Sequence, residues 1–272
     1  MRACPLLLQF DYSSIYCCGR ILASATSQVY AFRLRSLDKI TYNFDDCLLR
    51  ISQHMNKEEP IMKGKFITFE GADGGGKTTQ VQLAAAWLRE QGYEVVTTRE
   101  PGGTVLAEKV RALVLDSALP LNNVSQTLLY LAARSEHVEK VIRPAVAAGE
   151  IVLCDRFSDS TLVYQGLSAG KNLDELAELR NLCLFATEGL APDLTLVLDG
   201  RPEVLAKRRE QRGVTDRYEE QGLDFQHKLR NGFLTLTKAE PERMQIVNAE
   251  NDMQTVAEAV QKALAKLLQE AE

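Results

Sequence analysis

The chain has 272 residues, of which 25% are charged and 45% hydrophobic, with a net charge of −5 at pH 7. That length holds one large domain or two small ones, and the composition is that of an ordinary globular protein with no apolar run long enough to cross a bilayer. The acidic balance argues against a general nucleic-acid binder, so any anionic substrate must be gripped by a local cluster of Arg and Lys.

Residues 1–61 show no sustained period and hold four of the six cysteines, Cys4, Cys17, Cys18 and Cys47. Three readings of this segment stay open. The opening Met1-Arg-Ala-Cys-Pro is followed by too short an apolar run for a signal peptide, while Arg2, Arg20, Arg33 and Arg35 with several serines have the flavour of an organelle transit peptide. A genuine accessory segment is the second reading. The third, which we favour, takes Met62 as the true start: Lys57-Glu58-Glu59 is encodable as a purine run like a bacterial ribosome-binding site. The expected division is therefore 1–61, an extension of uncertain status, and 62–272, one folded domain.

From residue 62 onward strand-like and helix-like segments alternate. Phe66–Phe69 is a short apolar run readable as a buried strand. It leads into Gly71-Ala-Asp-Gly-Gly-Gly-Lys77-Thr78, which satisfies the phosphate-loop pattern G-x-x-x-x-G-K-[ST] in full, and then into Thr79–Arg89, with Val81, Leu83, Ala84, Trp87 and Leu88 at helical spacing. Glycines let backbone N–H groups converge on phosphate oxygens at the positive end of the helix. Lys77 then reaches the outer phosphates, and the Thr78 hydroxyl is placed for Mg²⁺. A nucleoside triphosphate is the expected ligand.

Further strands are expected at Glu94–Thr98, Ile151–Cys154, Leu194–Leu198 and Gln245–Val247. Helical patterns run over Val105–Leu115, Ser125–Ala148, Glu203–Arg212 and Met253–Leu268, the last with Val256, Val260, Leu264, Leu267 and Leu268 on one face. This alternation predicts a parallel sheet with helices on both faces and ligands at the carboxyl ends of the strands. Asp155-Arg156 follows the Ile151–Cys154 run, which puts an acid and a guanidinium on that ligand side. A second basic set lies at Lys207, Arg208, Arg209, Arg212 and Arg217; by itself it reads equally well as a solvated helix face. Cys154 reads as a small buried hydrophobe. No C-x-x-C pair or zinc spacing is present, which fits a reducing, cytoplasmic setting. No N-K-x-D base-reading motif of a GTPase is present.

The ordered motifs resemble those of bacterial thymidylate kinases across residues 62–272. They are Phe69-Glu-Gly71 with the phosphate loop, Thr98-Arg-Glu-Pro-Gly-Gly103, Leu129-Tyr-Leu-Ala-Ala-Arg134, Asp155-Arg156, Tyr164-Gln-Gly166, Ala191-Pro-Asp-Leu194 and Arg212-Gly with Asp216-Arg217. The resemblance implies an α/β P-loop NTPase fold, a three-layer sandwich with a five-stranded parallel sheet and a short mobile lid. It implies phosphorylation of dTMP by MgATP in a cytoplasmic homodimer, without nucleic-acid or membrane partners. ATP would lie on Gly71, Ala72, Asp73, Gly74, Gly75, Gly76, Lys77, Thr78 and Thr79. The dTMP would meet Asp73 at its 3′-hydroxyl, Arg111 and Arg156 at its phosphate, and Tyr130 stacked on the base. Arg134 would donate to a pyrimidine carbonyl, which favours thymine over cytosine. Thr161 and Gln165 would read the base edge, and Tyr164 would crowd the ribose 2′ position. Glu100 and Asp155 would lie near the metal and acceptor phosphate, with Thr78 and Asp155 the metal residues.

Gly74 stands where one branch of the family carries a loop arginine. The resemblance therefore implies the branch in which lid arginines act, here Arg208 and Arg212 beside Lys77 and Arg156. Two departures stand out: Ala169 replaces a family arginine, with Lys171 nearby as a substitute, and Tyr130 replaces the usual Phe. Rival readings are another nucleoside-monophosphate or deoxynucleoside kinase, and a nucleotide-binding regulatory module.

Overall fold

Each of the five expected runs becomes a strand, and all five pair in parallel. A computed structural model describes residues 64–210, 218 and 221–269; the expectations for residues 1–61 and for Arg212, Asp216 and Arg217 lie outside the described residues. The strands are β1 (Lys65–Glu70), β2 (Val95–Arg99), β3 (Ile151–Asp155), β4 (Leu194–Asp199) and β5 (Met244–Asn248). They form one sheet in the order β2-β3-β1-β4-β5. β1 is central and buried from Phe66 to Glu70. It is covered on both faces, hence an unbroken apolar run rather than an alternating one.

The helices are α1 (Lys77–Glu90), α2 (Val105–Leu115), α3 (Asn123–His137), α4 (Arg143–Ala147), α5 (Ser158–Thr161), α6 (Ala177–Thr187), α7 (Pro202–Glu210), α8 (Gly222–Ala239) and α9 (Met253–Gln269). Ile67 and Phe69 point to one face of the sheet, where α1 and α9 close the core through Val81, Leu88, Val256, Val260 and Leu264. Phe66, Val152 and Cys154 point to the other, against Val138, Ile142 and Phe157. On that second side α8 packs Leu229, Phe233 and Leu236 against Leu162, Val163 and Val197. The result is the expected three-layer sandwich. Cys154 is fully buried, and that burial pushes its thiol well up from the ordinary value.

One expected helix is interrupted. The pattern over Ser125–Ala148 predicts a single helix, but a π-helical turn occupies Val138–Ile142 between α3 and α4. Pro144 supplies the reason. It has no N–H to give and its ring crowds the carbonyl four residues back, so the chain takes the wider register, with the Arg143 N–H bonded to Val138 O. Helix starts follow their caps: Thr104 Oγ1 accepts from Ala107 N, and Asn122 Oδ1 accepts from Ser125 N. The expected Glu203–Arg212 helix is described as far as Glu210.

Candidate active site

The carboxyl ends of β1, β2 and β3 stand side by side, with Phe69 and Arg99 both in register with Asp155. The loop leaving β1 carries positive φ at Gly71 (122°), Gly74 (88°) and Gly76 (84°). These positions need glycine for different reasons. A Cβ on Gly71 would lie 2.4 Å from Leu198 O, and one on Gly74 would lie 2.6 Å from Leu205 O, whereas one on Gly76 would meet nothing within 4 Å. So Gly76 answers to its dihedral alone, and Gly71 and Gly74 also to the close approach of β4 and α7.

Lys77 folds back over the loop, its Nζ donating to Gly71 O and Ala72 O at 3.0 Å each. Its Nζ also lies 3.6 Å from Asp73 Oδ1. Burial and the nearby Arg156 lower its pKa, against the pull of Asp73 and Asp155. Thr78 Oγ1 donates to Asp155 Oδ2 at 2.6 Å. A cavity of about 740 Å³ opens over this loop, walled by Gly74, Gly76, Lys77, Thr78, Thr79 and Arg208 among others. A hydroxyl and one carboxylate at its floor suit Mg²⁺, which takes few protein ligands and keeps the rest of its shell for water and phosphate oxygens.

A second cavity lies on the far side of Asp73 and is lined by Tyr130, Arg134, Thr161, Tyr164, Gln165 and Tyr218. Asp73, Glu100, Arg111, Leu115 and Arg156 belong to the walls of both. Asp73 is the hinge of this arrangement: Oδ1 accepts from Arg156 Nη2 at 2.7 Å and Oδ2 from the Tyr164 hydroxyl at 3.3 Å. Burial works to raise its pKa, but Arg156 and Lys77 outweigh that and hold the carboxyl well below the usual range. Arg156 has φ 73°, the left-handed region that a branched scaffold of contacts must hold in place. Its N–H donates to Phe69 O, Nη1 donates to Ser160 Oγ, and its guanidinium lies 5.1 Å over the Tyr164 ring.

Arg134 is buried deep in the second cavity. Nε donates to Glu100 Oε2 (2.7 Å), Nη1 to Thr161 Oγ1 (3.0 Å) and Nη2 to Phe157 O (3.0 Å). The Tyr130 hydroxyl meets the Tyr218 hydroxyl at 3.0 Å, and Tyr218 donates onward to Gln126 Oε1. Burial, and then the neighbouring Tyr218, push the Tyr130 phenol up, so it stays un-ionised. Arg111 Nη1 donates to Pro101 O.

The thymidylate kinase family model matches residues 69–260. The chain belongs to the thymidylate kinase family. It is 49% identical over 185 residues to a thymidylate kinase of Synechococcus sp. (strain JA-3-3Ab), spanning 68% of this chain and 87% of that one. To a thymidylate kinase of Geotalea uraniireducens it is 42% identical over 214 residues, 76% of this chain and 99% of that one. The crystal structure of thymidylate kinase from Ehrlichia chaffeensis is 35% identical, with a TM-score of 0.59, covering 74% of this chain and 98% of that chain.

Within this thymidylate kinase fold, most of the residues singled out from the sequence line the two cavities; Gly71, Ala72 and Gly75 line neither, and Arg212 lies outside the described residues. Arg208 lines the phosphate-loop cavity and donates to the backbone carbonyls of Ala249, Glu250 and Asn251. Its neighbour Arg209, given no role in the sequence, is the one that touches the loop, with Nη1 donating to Asp73 O at 2.8 Å. Ala169 and Lys171 are both exposed and line neither cavity. Tyr218, Phe157 and Ser160 were missed as cavity residues. Tyr218 follows directly on Asp216-Arg217, a position that could have singled it out, while Ser160 carries no signal in the sequence.

Proposed function

We propose that this chain transfers the γ-phosphoryl group of ATP to dTMP, giving dTDP and ADP, with residues 62–272 forming the enzyme domain. The observation that carries the reading is the placement of Asp73: it belongs to a phosphate loop, yet its carboxylate is held by Arg156 and Tyr164 of the neighbouring cavity. A triphosphate on the loop and a monophosphate beside Arg156 then face each other across one strand end. Lys77 and Arg208 hold the donor phosphates, and Arg156 and Arg111 grip the acceptor phosphate, for which a planar guanidinium is suited. An oxygen of the acceptor phosphate attacks the γ-phosphorus in line as the bond to the β-γ bridging oxygen breaks, so no covalent enzyme intermediate is needed. Catalysis is positioning and neutralisation of charge. Mg²⁺, held by Thr78 and Asp155, would neutralise charge on the donor phosphates.

In the acceptor cavity Arg134 donates to the thymine carbonyl, Tyr130 stacks on the base, Thr161 and Gln165 face its edge, and Tyr164 crowds the ribose 2′ position. Arg212, brought by lid closure, completes the donor side and excludes water. The protein works in the cytoplasm. Among the described residues no helix is long and apolar enough to cross a membrane, and Cys154 and Cys183 are free thiols. It acts as a homodimer, a reading supported by the exposed apolar side chains Leu113, Val124, Leu128 and Phe185 on the mutually packed helices α2, α3 and α6.

The deciding experiment is an acceptor panel of dTMP, dUMP, dCMP, dGMP and AMP with ATP. Strong preference for any acceptor but dTMP overturns the reading, and ATP turnover indifferent to acceptor would favour a regulatory module.

A further inference from the structure

The acceptor cavity is backed by a buried side chain with no role in the reading above. His137 is fully buried, three residues after Arg134 on α3, at the point where the helix widens into its π turn. Its Nδ1 lies 3.0 Å from Glu100 Oε1 and its Nε2 lies 2.7 Å from Thr98 Oγ1. The other Glu100 oxygen accepts from Arg134 Nε at 2.7 Å. With its hydrogen on Nδ1 the ring donates to the carboxylate and accepts from the Thr98 hydroxyl, so each polar atom of the chain Thr98–His137–Glu100–Arg134 has a matched partner. The loop after Glu100 is fitted to the ring: a Cβ on Gly103 would lie 2.6 Å from His137 Cδ2 and Nε2.

A carboxylate held through one oxygen only can swing about its bonds. Here both oxygens are taken, from opposite sides, so the plane of Glu100 is fixed and with it the edge of the Arg134 guanidinium. We infer that His137 is a positioning residue for base selection, which holds Glu100 so that Arg134 presents its donors to the pyrimidine carbonyl. The inference rests on the reading of this cavity as the dTMP site. A base-reading arginine gains selectivity only if it cannot tilt to accommodate cytosine, whose amino group offers no acceptor.

Two amides separate this role from simple packing. In His137→Asn the amide N–H₂ falls near the Nδ1 position and keeps the donor to Glu100. In His137→Gln it falls near Nε2 and reaches Thr98 instead. Steady-state kinetics with dTMP and dCMP should show His137→Gln raising the KM for dTMP about tenfold, the scale of one lost charge-assisted hydrogen bond. The dTMP-over-dCMP preference should fall by a similar factor, with the KM for ATP within about twofold, and His137→Asn should recover most of both. Thr98→Val, which frees the far side of the ring, should shift the same ratio about threefold and serves if His137→Gln fails to fold. An unchanged preference in His137→Gln and Thr98→Val, or equal losses in the Gln and Asn variants, overturns the inference while leaving the dTMP reading intact. A wild-type enzyme that does not prefer dTMP over dCMP, or an Arg134→Lys variant that keeps the preference, overturns the cavity reading and this inference with it.

Discussion

Glu70, at the end of the central strand, is fully buried, and replacing it by Gln should flatten one part of the stability–pH curve. Its Oε1 accepts from the N–H groups of Phe157 (2.8 Å) and Ser160 (3.1 Å), and its Oε2 from Ser160 Oγ at 2.6 Å. These bonds favour the anion, as does Arg156 at 3.9 Å. Burial outweighs them, helped by the carboxylate of Asp159, and raises the pKa from the ordinary 4.5 to about 7. Between those two values the folded protein keeps a proton that the unfolded chain has released. Stability therefore falls as pH rises through that window, by about 3 kcal/mol in all, and is level again above pH 7. The Gln side chain keeps an oxygen for Phe157 and Ser160 and has no proton to lose. Urea unfolding of both proteins in steps from about pH 5 to about pH 8 should show the wild-type midpoint dropping relative to the Glu70→Gln midpoint. Ionisable groups that do not touch Glu70 contribute alike to both proteins and cancel in the difference. Parallel curves would refute the assignment and mean that the donors around Glu70 hold it ionised throughout.

Lys77→Ala should reduce phosphoryl transfer by at least about a hundredfold while the protein still melts cooperatively; single-turnover rates with saturating ATP and dTMP check it. Arg212→Ala should lower kcat by about a hundredfold or more with little change in the affinity for dTMP. Unchanged turnover would remove Arg212 from the chemistry and put the weight on Arg208. Gly76→Ala should cost about 1 kcal/mol of stability without nucleotide, from its dihedral alone. Gly74→Ala, where the new Cβ meets Leu205 O at 2.6 Å, should cost about 3 kcal/mol or more and loosen α7, read as a lower melting temperature. Equal costs at the two glycines would show that α7 does not rest on the loop.

The sheet was legible in the sequence because its strands are buried on both sides and so appear as unbroken runs; each strand begins or ends within a residue of its expected place. The phosphate loop was legible because its chemistry is local: the glycines, Lys77 and Thr78 act within one turn of chain. The ends of α3 were not, because Pro144 is compatible with the apolar spacing and acts only through the carbonyl it displaces. Helix α8 went unnamed, although Leu229, Phe233 and Leu236 are at helical spacing, since the polar run Gln226-His227-Lys228 before them and Arg230 and Asn231 among them dilute the stripe. The hydrogen-bond partners of the Asp73 carboxylate come from residues 83 and 91 positions away, and no spacing rule reaches that far. The contacts of Arg209 and His137 are hidden for the same reason.

Leu205, on α7, has consequences for how this loop can vary over time. Its carbonyl occupies the space that any side chain at position 74 would need, and Arg209, one turn further on, holds the next carbonyl of the loop. A side chain at position 74 would set its Cβ 2.6 Å from that carbonyl, so α7 has to withdraw to admit one, which would take Arg209 away with it. The residue at position 74 and the placement of α7 therefore have to change together, so that the loop and the helix vary as one unit.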